Sequence, residues 1–517
     1  MDLRNTKFIN QDGDLSEAAR ALADGQLVSF PTETVYGLGA NALIADAVKS
    51  IFEAKSRPAD NPLIVHIFDR SLLAELVTEV PDFAVPLMEA FWPGPLTLVM
   101  KKSDVVPYEV SAGLETVAIR IPSHPIALKL LQLAGVPVAA PSANVSGKPS
   151  PTCAADVIED LNGRVDFIVD GGNADVGLES TVLDVTVFPP VILRPGAVTL
   201  EQIEHLIGSV KSQIEQVAIP KSPGMKYKHY APNADMTLVC GDTLSIVKKI
   251  MKLSGDELAQ SSNKKRIGIM ATDQTLPFYS MHCSEERPVV ISAGDRSNPS
   301  TIAAKIFSVL RTFDRKNVDA IYAEGVDSTQ VGEAIMNRLE RAASGNLIRL
   351  SSDESSVFRI LFVCTGNTCR SSMAEGIMKK LASKSSLGSN SNSNSNLNFI
   401  ITSAGAAAYV GEAASSNAIQ AVKELFDIDI SQHSARLLTT EMIEESDLVL
   451  TMESRHCDFV KRLAPECSYK VAVLSEFVGA SSSWVSDPFG GSLETYKNTA
   501  QQIFAQLSKL NTILLFH

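Results

Sequence analysis

The sequence predicts an α/β chain made of several domains. Short apolar, β-branched runs alternate with amphipathic helical stretches along most of its length. Two segments rich in proline or serine interrupt this rhythm, and at ~150 residues per domain the 517 residues divide into three or so units. Hydrophobic residues make up 45% and charged residues 20%, an ordinary globular balance with enough apolar mass for sizeable cores.

Leu15 to Asp24 reads as a helix stopped by Gly25, and Gln26 to Phe30 as a strand. The stretch Phe30-Pro31-Thr32-Glu33-Thr34-Val35-Tyr36-Gly37-Leu38-Gly39 follows. A short helix later comes Lys55-Ser56-Arg57-Pro58-Ala59-Asp60-Asn61-Pro62-Leu63-Ile64-Val65-His66. Pro58 and Pro62 remove donors and push Ser56, Arg57 and Asn61 toward extended geometry, so a rigid turn is expected before a buried strand over Leu63 to Ile67. Lys55 and Arg57 at a strand mouth suit a polyphosphate, one as a point charge and the other as a planar fork. Taken alone, the segment equally fits a solvated loop with two surface charges.

Val117 to Ile121 reads as a strand, Ile126 to Ala134 as a helix stopped by Gly135, and Val136 to Ala140 as another strand. The next turn, Ala139-Ala140-Pro141-Ser142-Ala143-Asn144-Val145-Ser146-Gly147, gathers small residues, hydroxyls and an amide. Glu179-Ser180-Thr181-Val182 opens a strand, and Ile192-Leu193-Arg194-Pro195-Gly196 closes one. Small polar residues of this kind let backbone donors approach a phosphate closely.

In residues 221–233, prolines bracket two tyrosines and several cations, the composition of a linker. The βα rhythm then resumes, with strands expected at Met236 to Cys240, Arg266 to Met270 and Ala320 to Ala323. Helices are expected at Ser300 to Thr312 and Gly332 to Ala343. Residues 351–357, rich in serine and acid, read as a second linker. Ser385 to Asn398 is almost pure serine and asparagine, a loop that cannot bury a core and is expected to be disordered.

The net charge of −13 argues against a broad basic face for nucleic acid, while leaving a local basic groove open. Seven cysteines, odd in number and without a Cys-x-x-Cys pair, form neither a disulfide framework nor a structural zinc motif. Met1-Asp2-Leu3-Arg4-Asn5 lacks an apolar signal core, and no apolar run approaches ~18 residues. A reducing, cytoplasmic setting without a membrane is the expectation.

The Lys-x-Arg pair, Pro-Leu-x-Val-His, the Ser-Ala-Asn turn and the Arg-Pro-Gly turn occur in one order over about residues 8 to 234. Together they resemble the threonylcarbamoyl-AMP synthase family, with its YrdC-like twisted mixed sheet around a large cleft. The resemblance implies synthesis of threonylcarbamoyl-AMP and pyrophosphate from L-threonine, bicarbonate and ATP. A tRNA-modifying transferase then receives the adenylate. It places Arg57, Asn61, Ala140, Ser142, Asn144, Ser150, Arg194 and Tyr230 toward ATP, with Lys55 and Thr116 near the phosphates or carboxylate. Thr34, His66, Arg120 and Ser180 would hold threonine or the carbamate. By its residues alone His66 is as readily a satisfied strand histidine. Magnesium would arrive with ATP rather than in a protein cage.

The same resemblance makes 221–234 a segment folding over the cleft and 235–350 a small open α/β accessory domain, after a synthase domain over 1–220. Gly332-Glu333-Ala334-Ile335-Met336-Asn337-Arg338-Leu339 carries that accessory domain's usual helix, and no catalytic constellation is apparent in it. The alternative is an RNA-binding regulatory protein. It would hold double-stranded RNA in a basic cleft and carry a phosphatase or phospho-ligand-sensing domain.

A second chemistry begins at Phe358-Arg359-Ile360-Leu361-Phe362-Val363, a buried strand. It runs into Cys364-Thr365-Gly366-Asn367-Thr368-Cys369-Arg370-Ser371, and Ser372 to Ala382 reads as a helix. A nucleophile at a strand end, with arginine at the following helix start, suits phosphate capture by loop N–H groups, helix dipole and guanidinium fork. The same field favours the thiolate form of Cys364.

This stretch resembles the low-molecular-weight protein phosphatases, whose fold is a doubly wound parallel sheet, here over 358–517. Further marks are Thr402-Ser403-Ala404-Gly405, Ile430 to Arg436, Asp447 to Met452 and Asp487-Pro488-Phe489. The resemblance makes Cys364 the nucleophile, Arg370 the phosphate ligand, Asp487 the general acid, and Cys369 a partner able to trap the nucleophile in a reversible disulfide. Ser372 stands where proline is usual, and the Ser/Asn insertion is foreign. Thr365 and Thr368 resemble the branch acting on phosphoarginine more than the tyrosine branch, which makes Thr368 the specificity position and a phosphoprotein the substrate.

Overall fold

In the computed structural model, the described residues are 4–212, 230–260, 265–281, 288–351, 357–387 and 398–515. They form two compact units. The first holds residues 1–236, 293–317 and 326–346, and the second holds 237–292, 318–325 and 347–517.

In the first unit, eleven strands make one mixed sheet. They are β1 (Lys7–Ile9), β2 (Val28–Phe30), β3 (Gly37–Asn41), β4 (Ile64–His66), β5 (Leu96–Lys101), β6 (Thr116–Arg120), β7 (Val138–Ala139), β8 (Phe167–Val169), β9 (Thr181–Asp184), β10 (Val191–Arg194) and β11 (Lys211–Ser212), in the order β1-β8-β2-β3-β7-β4-β6-β5-β9-β10-β11. Alternation along β4 decides which face becomes the cleft. Val65 points into the main apolar core with Ile119, its register partner on β6. Ile64 and His66 point the other way, with Arg120 beside His66.

The helix Ala45–Lys55 ends with Ser56 in the left-handed region (φ 52°), so the expected extended geometry at Ser56 is corrected. Lys55 is the last helical residue rather than part of a turn, because the restriction imposed by Pro58 falls on Arg57 and leaves the helix free to run to Lys55. The helix Pro125–Ala134 has proline at its first position, where no donor is needed, and stops at Gly135 with φ 68°.

The second unit holds two parallel sheets. Five strands, β12 (Asp235–Cys240), β13 (Ile267–Ala271), β14 (Val289–Ser292), β15 (Ala320–Glu324) and β16 (Leu347–Arg349), run in the order β14-β13-β15-β12-β16. Four more, β17 (Val357–Cys364), β18 (Asn398–Gly405), β19 (Leu448–Thr451) and β20 (Val471–Val473), run β18-β17-β19-β20. Both sheets contribute to one apolar core, in which the Phe278 ring meets Phe358 at 6.3 Å and Phe477 at 5.3 Å.

The units cut across the boundaries expected from sequence. Segment 235–350 gives its strands to the second unit, while its helices Pro299–Arg315 and Val331–Ala342 belong to the first. Polar contacts hold these helices there. Arg311 donates to the Pro149 carbonyl at 2.7 Å and the Asp160 carboxylate at 2.8 Å, and Arg338 pairs with Glu179 at 3.0 Å. The expected linkers lie mostly outside the described residues, at 221–229 and 352–356, as does 388–397 of the Ser/Asn stretch. Ser385 to Leu387 extend the helix Arg370–Leu387, and Asn398 begins β18.

Gly196 lets the Arg-Pro-Gly turn lie against the backbone that opens β9. A Cβ there would sit 2.3 Å from the Thr181 nitrogen and 2.6 Å from the Glu179 oxygen. Gly196→Ala is expected to cost about 1–3 kcal/mol through this overlap. It should lower the midpoint of urea unfolding followed at buried Trp92 in a Trp484→Phe background, and an unchanged midpoint refutes the packing argument.

Candidate functional site

The first unit carries a cleft whose floor is the β4–β6 pair and whose walls are loops at strand ends. Arg120, at the end of β6 and 3% exposed, donates to Thr34 Oγ1 at 2.9 Å and to the Gly94 carbonyl at 3.1 Å. It also forms an ion pair of 2.5 Å with Glu33. Burial raises the Glu33 carboxyl, but Arg120 overrides it and holds the group below its usual value. Beside them His66 is buried, with no hydrogen-bond partner at Nδ1 among the described residues. Burial first, and the charge of Arg120 second, push His66 down to about 3, so it is neutral at ordinary pH.

On the opposite wall Arg194 donates twice to the Ser180 carbonyl, at 3.1 and 2.9 Å, and once to its hydroxyl at 3.2 Å. The Ser180 hydroxyl is in turn 2.7 Å from that of Thr97. Arg57 also lines the cleft. Burial pushes both Arg57 and Arg194 down to about 10, still cationic at neutral pH. Ser142 and Asn144 form the third side, with Ser142 Oγ donating to Asn144 Oδ1 at 2.5 Å. Tyr230 is already seated in the wall, 6% exposed at φ 64°, with its ring 5.1 Å from that of Phe307. This arrangement offers cationic forks, small hydroxyls and an orphaned imidazole nitrogen to an anionic ligand.

In the second unit, Cys364 ends β17 and Arg370 starts the helix Arg370–Leu387, with Asn367 between them at φ 59°. Asn367 is the loop's brace. Its N–H points at Cys364 Sγ at 3.3 Å, its amide donates to Ser371 at 2.9 Å and Ser403 at 2.8 Å, and its oxygen accepts from the Arg436 N–H at 2.9 Å. Ser371 Oγ lies 3.0 Å from Cys364 Sγ. Arg370 is shared between Asp487 and Glu453, each at 2.8 Å. Cys369 Sγ is 3.3 Å from the Tyr496 hydroxyl.

A family model described as telomere recombination matches residues 20–196, and a threonylcarbamoyl-AMP synthase C-terminal domain matches 198–344. A curated threonylcarbamoyl-AMP synthase from Pyrococcus abyssi is 48% identical over 337 residues, covering 64% of this chain and 95% of the relative. Another, from Bacillus subtilis, is 48% identical over 342 residues, covering 65% and 95%. The chain belongs to the threonylcarbamoyl-AMP synthase family. The solved structure of Pyrococcus abyssi Sua5 complexed with L-threonine has 45% identity and a TM-score of 0.62, covering 67% of this chain and 99% of its own. A low molecular weight phosphotyrosine protein phosphatase model matches residues 359–515, so a phosphatase domain accompanies the synthase in one chain.

Ten of the residues expected in the synthase site line its cleft: Thr34, Arg57, His66, Arg120, Ala140, Ser142, Asn144, Ser180, Arg194 and Tyr230. Four do not. Lys55 is buried behind the Ser142 turn, its ammonium donating to the carbonyls of Ser142 and Asn144, and burial holds it well below its usual value. Ser150 is fully buried and donates to Glu179 at 2.6 Å. Asn61 is buried beside the entry to β4, outside the cleft lining. Thr116 begins β6, four residues and about 13 Å from Arg120, because strand rise carries it to the sheet's other end.

Sequence reasoning missed Glu33, Lys148, Glu179 and Arg338. Both acids stood inside recognised stretches, but nothing local shows which distant arginine each one meets. In the phosphatase domain Arg370 meets Asp487 at 2.8 Å, Cys364 begins the loop that Arg370 closes, and Thr368 is half-buried with its hydroxyl 3.6 Å from Cys369 Sγ.

His66 gives the synthase an acid sensitivity. From its ordinary 6.5 down to about 3, the unfolded chain binds a proton that the folded site refuses. Its contribution to stability is therefore complete above pH 6.5 and is lost as pH falls. Between pH 6.5 and 4.5, His66→Gln is expected to reduce the slope of stability against pH by up to about one proton. Urea unfolding at Trp92 in the Trp484→Phe background measures this, and an unaltered slope counts against a neutral buried His66.

Proposed function

We propose that the cleft makes L-threonylcarbamoyl adenylate and pyrophosphate from L-threonine, bicarbonate and ATP, for transfer to tRNA by a partner enzyme. The observation that carries this is the charge of the lining: Arg57, Arg120, Lys148 and Arg194 face one cavity, and the one carboxylate among its described lining residues, Glu179, is paired with Arg338. The threonine amine takes up bicarbonate with loss of water to give a carbamate. A carbamate oxygen then attacks the α-phosphorus, and the bond to pyrophosphate breaks. Such a step needs orientation and charge neutralisation more than a strong base. Arg57, Ser142, Asn144, Arg194 and Tyr230, with the Ala140 backbone, would face the nucleotide. Thr34, His66, Arg120 and Ser180 would face threonine or its carbamate, in keeping with the L-threonine complex of the Pyrococcus abyssi relative.

The lining carboxylate, Glu179, and Glu33, which sits between the lining residues Thr32 and Thr34, are each taken by an arginine. A magnesium ion would therefore be carried by the nucleotide's own phosphates, where it neutralises charge.

For the phosphatase domain we propose a phosphoprotein substrate, with phosphoarginine favoured over phosphotyrosine. Cys364 would attack phosphorus while Asp487 protonates the leaving nitrogen, and Arg370 would hold the phosphoryl oxygens. The reading is supported by the Thr368 hydroxyl at the cradle and by two carboxylates, Asp487 and Glu453, that could face a cationic guanidinium.

With ATP, bicarbonate and threonine, the full chain should release pyrophosphate only when threonine is present. Arg57→Ala should lower that rate by ~10²–10³, and Cys364→Ser should leave it unchanged while removing hydrolysis of an aryl phosphate. Threonine-independent release would sink the synthase reading. Loss of adenylate formation in Cys364→Ser would show that the two chemistries are not independent.

A hydrophobic contact of one side chain is worth ~1–3 kcal/mol, so substrate preference rather than absolute choice is expected of Thr368. The native enzyme should show higher kcat/KM on phosphoarginine than on phosphotyrosine peptides, and Thr368→Ile should move the ratio toward phosphotyrosine. A native preference for phosphotyrosine, or a ratio that the substitution does not move, would count against it.

A further inference from the structure

The helix Val331–Ala342 brings Arg338 to the wall of the synthase cleft. Arg338 is 0% exposed, and its Nε donates to Glu179 Oε2 at 3.0 Å. The other oxygen of Glu179 accepts from the Ser150 hydroxyl at 2.6 Å. Arg338 Nη1 also donates to the Pro195 carbonyl at 2.7 Å, and its guanidinium lies 5.8 Å from the centre of the Tyr230 ring. One planar fork thus spans three pieces of the cleft wall: the Glu179-Ser180 strand opening, the Arg194-Pro195-Gly196 turn, and the segment bearing Tyr230. The two that it hydrogen-bonds lie 143 and 159 residues from Arg338 in the chain.

We propose that Arg338 is a positioning residue of the synthase cleft: by bridging Glu179 and the Pro195 carbonyl it fixes the wall from which Arg194 and Tyr230 meet ATP. This rests on the nucleotide-facing role given above to Arg194 and Tyr230. Arg194 stands directly before Pro195 and is tied to the carbonyl of Ser180, which directly follows Glu179. A shift at either anchor moves the Arg194 guanidinium. Burial raises the Glu179 carboxyl, but the charge of Arg338, aided by Arg194, outweighs it and keeps the group below its usual value. Without Arg338, a buried carboxylate would face the triphosphate-binding wall with its strongest counter-charge gone.

The contact also gives a helix of the accessory segment a task in synthesis. Arg311 makes a parallel link from the helix Pro299–Arg315 to Pro149 and Asp160, beside Ser150 and Lys148. It touches no cleft-lining side chain among the described residues, whereas Arg338 touches Glu179 and the ring of Tyr230.

Lysine keeps the charge but cannot reach both acceptors in one plane, whereas methionine removes charge and fork together. The test uses the full-length protein with Arg338→Lys and Arg338→Met, and measures KM for ATP, KM for threonine and kcat for pyrophosphate release. Aryl phosphate hydrolysis by the same preparations serves as an internal control, and urea unfolding at Trp92 in the Trp484→Phe background reports the first unit. The expected result is a rise in KM for ATP of about tenfold in Arg338→Lys and larger in Arg338→Met, with KM for threonine changing less than threefold. Arg338→Lys is expected to unfold near the native midpoint. If Arg338→Met does not fold, Arg338→Lys alone decides the matter.

Unchanged kinetics in a folded Arg338→Lys would overturn the inference. So would an equal loss for both substrates, which marks a general packing role. Arg57→Ala, run in parallel, separates the two readings. If its KM for ATP is also unmoved, the nucleotide assignment of the cleft has failed. If Arg57→Ala raises KM for ATP and neither Arg338 variant does, only the positioning role is lost.

Discussion

Lys55, Arg120, Arg194 and Arg338 are among the cations of the first unit that are less than a tenth exposed, and compensating them governs how the cleft is built. An unpaired buried charge costs several kcal/mol, so each must find partners inside the protein or in a ligand. Arg120 takes Glu33 and Arg338 takes Glu179. Lys55 takes two carbonyls of the Ser142 turn and thereby holds that turn in place. Among the described residues Arg194 hydrogen-bonds the carbonyl and hydroxyl of Ser180, and the nearby Glu179 carboxylate is already paired with Arg338. The remaining positive field, to which Arg57 of the lining adds, is aimed at one cavity and suits a polyphosphate of the kind proposed for it.

The phosphatase cradle solves a related problem by other means. Its anion is to be held by loop N–H groups and a helix start, so the loop must keep an unusual shape. Asn367, at φ 59°, holds it through side-chain bonds to Ser371, Ser403 and the backbone of Arg436. Arg370 is meanwhile occupied by Asp487 and Glu453. A phosphoryl group must displace or share these contacts, whereas a cationic leaving group would meet them favourably. Carboxylates beside a phosphate site thus tune it by charge, as the arginines do in the synthase.

Much of both sites was legible in the sequence, because their residues cluster in short segments at strand ends. Lys-x-Arg, Ser-Ala-Asn, Arg-Pro-Gly and the cysteine loop each announce a turn that period-2 alternation alone would not form. Strand and helix positions along the chain were likewise readable to within a few residues, as with Ile64–His66 and Pro125–Ala134. The turn at Ser56 was misread because two prolines nearby outweighed the capacity of a helix to run to Lys55 and end in a left-handed residue.

Pairing across distance was not legible. Glu179 and Arg338 are 159 residues apart, and neither carries a local mark of the other. Whether Lys55 faces the ligand or the back of a turn depends on which side of the Ser142 loop its helix ends. That is set by packing rather than by its neighbours in sequence. The sequence by itself determined which chemistries the chain carries, since those depend on residue types held at fixed spacing. The tertiary structure alone decided which charges neutralise each other and which are left for a ligand, because burial and ion pairing act through space between segments that chain order keeps far apart.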